Sequence, residues 1–191
     1  YSDAGVELLT KNTSLAQNPR AIAASNDGAT MYYVLQSSAS PIGQWNLGPN
    51  TIGASFAAIP SGYFVSDLLV MDNGDVIALS VNGAGTIVVR RFNSAGVAQS
   101  TYAIGTTLFP DGAFPRMGYM ENAEQTDFVI WWFPSTGKAR ADWIRISDGA
   151  VSKTTGLVDT YEQGVPAVSN PATFGPSNSC PIIILGTANV T

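Results

Sequence analysis

The chain contains no histidine, and this absence narrows the chemistry before any fold is considered. Ser-His-Asp and Cys-His nucleophile systems need an imidazole, as do the usual zinc sites, because no other side chain titrates near neutral pH unless strongly perturbed. Any catalysis must therefore rest on carboxylates. Asp67, Asp72, Asp75, Asp127 and Asp142 are the candidates for a glycosidase-type pair. Asp72 and Asp75 flank a turn in "DNGD" and read more simply as turn formers. The same stretch offers oxygen ligands to a hard cation, but it lacks the spaced ligands and closing Glu of an EF-hand loop. No metal and no cofactor is expected, and the chain reads as non-enzymatic.

Aromatic side chains supply the other candidate chemistry. Trp45, Trp132 and Trp143 lie near predicted strand ends, where an indole can stack on a sugar ring while polar neighbours take its hydroxyls. Arg91 is a further candidate ligand-binding residue. In "FVIWWFP" strand alternation sends Trp131 and Trp132 to opposite faces, which equally suits core packing on both sides of a buried strand. Of the adjacent Arg90 and Arg91, one is expected to reach solvent or a partner and the other to pair with a carboxylate.

The elements that must position these residues are legible in the composition. With 191 residues, 45% of them apolar, the chain can bury a sizeable core. Only 12% are charged, about half the usual share, and 19 are Gly, which suits short strands joined by many turns. A formal charge of −5 repels nucleic-acid phosphates and acidic membrane surfaces, so no nucleic-acid partner is expected. No apolar run approaches the roughly 20 residues of a membrane span, and no membrane insertion is expected. The single cysteine, Cys180, excludes an internal disulfide and reads as a small buried hydrophobe. Asn12 and Asn189 fit the glycosylation triplet, which arises readily by chance in such a composition. The chain opens on Tyr1 rather than Met, which reads as a trimmed chain or a segment of a longer protein.

A repeat organises the strands. "AIAASNDGATMYYVLQSSASPIGQWNLG" reads as strand, tight turn, strand, loop, strand, with Asn26-Asp27-Gly28 at the turn. "DLLVMDNGDVIALSVNGAGTIVVRRFNSAG" repeats that order about 46 residues later, with Asp72-Asn73-Gly74 at the turn. A divergent third copy runs from 116 to 149, with Glu121-Asn122 at its turn. "YSDAGVELLT" aligns with "FNSAGVAQST", so Gly5, Gly48, Gly96 and Gly149 mark third-to-fourth strand turns. Four strands per period of 40 to 50 residues predict an all-β fold, a β-propeller or propeller-like array of about four four-stranded blades. The repeats fall at approximately 14–60, 61–110 and 111–160, with a fourth split between 161–191 and 1–13; if the two ends complete one blade together, rather than another subunit or further chain closing it, 6–13 and 180–190 share a sheet. The alternative is a β-sandwich or jelly roll, which gives no reason for the repeated order.

Residues 25 to 48 resemble the propeller repeat of bacteriophage structural proteins and bacterial surface proteins. The residues that carry the likeness are Asp27, Gly28, Thr30, Tyr33, Val34, Gln44, Trp45 and Leu47. It is fair over 67–105 and weak beyond 116, where Glu121-Asn122-Ala123 departs from the Asp-Gly turn. "SNDGATM" is not a sialidase-type Asp box, because Gly28 follows Asp27 directly and Met31 stands in the aromatic position. The resemblance implies a virion, extracellular or cell-surface setting and a structural or binding role: a tail, tail-fibre or head-decoration component. Its partners would be other virion proteins, further copies of itself or host-surface carbohydrate. A stand-alone lectin and a carboxylate-dependent glycosidase are the alternatives, although the loops "SSASP", "NGAG" and "PSTGKA" differ, which argues against identical sugar sites.

Overall fold

A computed structural model describes residues 19–35, 41–107, 115–119, 126–135, 138–155 and 158–159. They form thirteen strands and no helix. The first sheet is the meander β1 (Pro19–Ala24), β2 (Thr30–Leu35), β3 (Ile42–Asn46) and β4 (Thr51–Ala57), each strand antiparallel to the next. The second is β5 (Tyr63–Val70), β6 (Val76–Asn82), β7 (Thr86–Phe92) and β8 (Ala98–Thr106). The third is β9 (Arg116–Tyr119), β10 (Asp127–Ser135), β11 (Lys138–Arg145) and β12 (Val151–Thr154), with β13 (Val158–Asp159) pairing farther along β11.

Sequence pattern explains why each strand sits where it does. β6 is buried at every position except Asn82, so its two-residue alternation of polarity disappears, as expected for a strand covered on both faces. The fourth strand β8 keeps the alternation, because one of its faces meets solvent. Residues on β6 nevertheless alternate between two cores. Val76 and Ala78 join Tyr32, Val34, Ile42 and Phe92 between the first and second sheets. Ile77 and Leu79 join Phe128, Ile130, Trp132 and Ile144 between the second and third. A third cluster on the other face of β10 and β11 holds Val129, Trp131, Phe133 and Trp143. Trp131 and Trp132 thus point to opposite faces.

The sheets stack face to face with their first strands side by side, β1 against β5 and β5 against β9. Successive four-stranded meanders packed in this way are a propeller-like array, and no sandwich arises, since a sandwich packs only two sheets. Three sheets lie among the described residues. The split repeat, the shared sheet of 6–13 with 180–190, the Glu121-Asn122 turn, Gly5, Cys180, Asn12 and Asn189 lie outside them.

Turn chemistry repeats with the sheets. At the first-to-second strand turns, Asp27 accepts from Ala29 N–H at 2.9 Å and Asn73 from Asp75 N–H at 3.0 Å, while Gly28 and Gly74 take the left-handed conformation. At the third-to-fourth turns, Gly96 (φ 77°) and Gly149 (φ 72°) take the same conformation, but each is also pressed against the preceding sheet. A Cβ on Gly96 would strike the Phe56 carbonyl oxygen on β4, and one on Gly149 would strike the Tyr102 ring on β8. In the first sheet the left-handed residue of this turn is Asn50 (φ 57°), not Gly48. Around Gly48 nothing lies within 4 Å of a Cβ, so the turn tolerates a side chain.

Candidate functional site

The carboxylates singled out in the sequence do not form one constellation. Asp75 is held by Arg91, whose Nε donates at 2.7 Å. Asp142, fully buried, accepts from Arg140 Nε at 2.7 Å and from the Trp132 indole N–H at 2.8 Å. Asp72 receives the side-chain amide of Asn26. Asp127 carries a buried oxygen, Oδ1, that no donor meets. Among the described residues no three His, Cys, Asp or Glu side chains stand close enough to hold a metal ion.

The aromatic candidates separate by exposure. Trp132 is buried between the second and third sheets, its ring edge against Gly105 and the Arg140 guanidinium 5.4 Å from its centre. Trp143 is buried in the third cluster, and the Lys153 ammonium stands 5.0 Å from its ring. Trp45 is half-buried on β3, opposite Met31 on one side and Ile52 on the other. With the exposed Ile22 and Ile52 it makes an apolar outer face of the first sheet. The paired arginines also differ from expectation. Arg91, the more exposed of the two, is the one that pairs with a carboxylate. Arg90 is buried against the Tyr63 ring at 4.3 Å and reaches Ser80 Oγ, with no carboxylate beside it. Burial lowers its pKa because desolvation disfavours the charged form.

Sequence reasoning passed over a polar junction where the first strands meet. Arg20 on β1 stands 5.0 Å from the centre of the Phe64 ring on β5. Arg116 on β9 donates from Nη1 to the Ser66 carbonyl at 3.0 Å. Asp67, in the candidate list only as a carboxylate, accepts Leu68 N–H at 3.0 Å and Met117 N–H at 2.9 Å, so it ties β5 to β9. Burial raises its pKa, and the two amide donors and the nearby Arg116 only partly offset that effect. A register shift between Val65 and Asp67 places Ser66 and Asp67 at a bulge. Bulges redirect side chains and are common beside binding sites. The repeat period hid the junction, because strand-initial residues differ from copy to copy while the turns do not.

No protein-family model matches the chain, and no curated protein matches it. Solved structures do resemble it. Hydrazine synthase of Kuenenia stuttgartiensis superposes with a TM-score of 0.57 at 13% identity, over 74% of this chain and 37% of that one. The BP39L lectin from Burkholderia pseudomallei gives 0.51 at 16% identity, over 73% and 40%. An exo-β-1,3-galactanase from Phanerochaete chrysosporium gives 0.50 at 9%, over 73% and 38%. The aligned region is well under half of each of these proteins. At such identities the likeness is one of fold.

Proposed function

We propose that the chain is a non-enzymatic propeller module of a virion or cell surface, a tail, tail-fibre or head-decoration component, that binds structural partners or host-surface carbohydrate. The shared fold alone leaves the function class open, since it serves a lectin in one neighbour and a galactanase in another. The observation that carries the reading is the engagement of the carboxylates. Among the described residues Asp75 and Asp142 are each neutralised by an arginine, Asp27 closes a turn, Asp72 accepts from Asn26 of the neighbouring turn, and only Asp127 keeps a buried oxygen that no donor meets. A retaining or inverting glycosidase needs two carboxyl groups free to exchange protons and face one another across the substrate. The phage setting is supported by the repeat resemblance of residues 25–48. A rigid array presenting many loops gains strength when weak contacts are repeated.

The test combines size-exclusion light scattering and electron microscopy with a glycan array, and with hydrolysis of the corresponding nitrophenyl glycosides. Retention on glycans without hydrolysis supports the reading. Hydrolysis that disappears in Asp67→Asn overturns it in favour of the second reading, a glycosidase, which the raised Asp67 pKa on a first strand favours.

A further inference from the structure

We infer that the outer face of the first sheet is a self-association surface, on which a second copy of this chain docks through the same face to give a two-fold dimer. This rests on the structural-partner reading above and names the partner. Strand register identifies the face. Ala24 pairs with Met31 and Met31 with Trp45 in the first sheet, as Val70 pairs with Val76 and Val76 with Phe92 in the second. Ile22, Met31 and Trp45 therefore stand where Leu68, Val76 and Phe92 stand one sheet later. In the second sheet those three are buried in the core shared with the first. In the first sheet Ile22 is 55% exposed, against 6% for Leu68, and Met31 and Trp45 are half-buried. With Ile52, exposed on β4 opposite Trp45, they form a docking face that no described sheet covers.

Charge and the opposite end of the array select the occupant. Arg20 is the one charged residue in the four strands of the first sheet. A register shift between Pro19 and Ala21 takes it out of the strand's alternation, and its guanidinium lies over Phe64 of the second sheet. The outer face is thus apolar and uncharged. A two-fold contact sets like residues against like, so any charge there would repel its own copy, and a chain of charge −5 can meet itself closely only through such a face. A partner held by ion pairs finds nothing to pair with. Trp and Met without charge are also the composition of interface centres. The far face of the third sheet offers no alternative seat, because Val129, Trp131 and Trp143 on it are already buried, which leaves head-to-tail stacking without a free face. Four strands of five to seven residues span about 400 Å² in projection, half of the roughly 800 Å² that a standard interface buries on each partner. The dimer is therefore weak and depends on concentration.

The experiment is sedimentation velocity on the full chain from about 1 μM to about 500 μM. The mass should rise from one chain to two and stop there. Added salt should strengthen the dimer, since screening lessens the repulsion between two acidic chains. Ile22→Glu should weaken it at least about tenfold, Ile22→Lys should do the same, and an equimolar mixture of the two should recover it. Trp45→Ala should weaken it as well. Val97→Glu, at an exposed apolar position on a turn of the second sheet, should leave it unchanged. Circular dichroism and thermal unfolding establish that each variant folds, and Ile52→Glu replaces any that does not. A single-chain mass at every concentration, a dimer indifferent to Ile22→Glu, growth beyond two chains, or dissociation by added salt each overturns the two-fold dimer. A monomer that retains glycans overturns the dimer and leaves the binding reading standing. A dimer dispersed by Ile22→Glu that hydrolyses glycosides overturns the non-enzymatic reading and leaves the dimer standing.

Discussion

Asn26 in the first sheet donates its side-chain amide to Asp72, the residue at the same place in the second sheet's turn. The two lie 46 residues apart, the spacing at which the sequence repeats itself. A bond between equivalent residues of successive copies arises where each copy is one sheet and the sheets stack in order. The pairing is exposed, so its energetic share is small, but it fixes which turns share one edge of the array.

Gly96 and Gly28 provide an internal comparison of what the stacking costs to disturb. Both have positive φ, 77° and 66°, and Ala at either should lose about 1 kcal/mol to backbone strain. Gly28 faces open space, whereas a Cβ on Gly96 meets the Phe56 carbonyl of the preceding sheet. Gly96→Ala should therefore destabilise by about 2 to 4 kcal/mol against about 1 for Gly28→Ala in urea unfolding. Equal losses would mean that the second sheet's turn is not seated on the first.

Trp132 offers a test of the core between the second and third sheets. Its indole N–H meets the buried Asp142 carboxylate, whose other partner is Arg140. Trp132→Phe removes the donor and part of the ring packed on Gly105, so a loss of about 2 to 4 kcal/mol is expected. Trp132→Phe should not alter glycan retention once the folded fraction is matched, because the indole is enclosed. Trp45→Ala, at a half-buried position on the outer face of the first sheet, should cost less stability. A drop in retention confined to Trp45→Ala would assign that face to ligand as well.

Much of the array was legible from residues whose chemistry is local. Asn-Asp-Gly and Asp-Asn-Gly turns sit where the sequence puts them because an Asx side chain closing on a backbone N–H, followed by a left-handed glycine, needs no tertiary partner. The buried runs of β6 and β10 identified strands but not their faces, since burial on both sides erases the polar period. Gly48 does lie in the third-to-fourth strand turn, but it is not that turn's left-handed residue. Identity of residue type suggested equivalence with Gly96, yet the left-handed residue is Asn50, and a Cβ on Gly48 would meet nothing within 4 Å whereas one on Gly96 would strike the Phe56 carbonyl. The junction of Arg20, Phe64, Asp67 and Arg116 was illegible, because it joins residues from three sheets through contacts that no local pattern encodes.

Asp67 yields a pH prediction whose sign follows from burial. Its folded-state pKa is raised, with desolvation as the largest cause, so the folded state holds this proton more tightly than the unfolded chain. The resulting stabilisation is fully present below the unfolded carboxyl value, about pH 4, and is lost as pH rises through the folded value. Asp67→Asn does not titrate and should show no such loss at this position. The stability of the wild type relative to Asp67→Asn should therefore be greatest at acid pH and decline across a window that opens near pH 4. Urea unfolding of both proteins at several pH values from about 3 to 7 measures this directly. A difference that stays flat would show that the Leu68 and Met117 amides and Arg116 fully compensate burial. A difference that grows with pH would mean that they outweigh it, and that Asp67 is held as a carboxylate at the junction of the first strands.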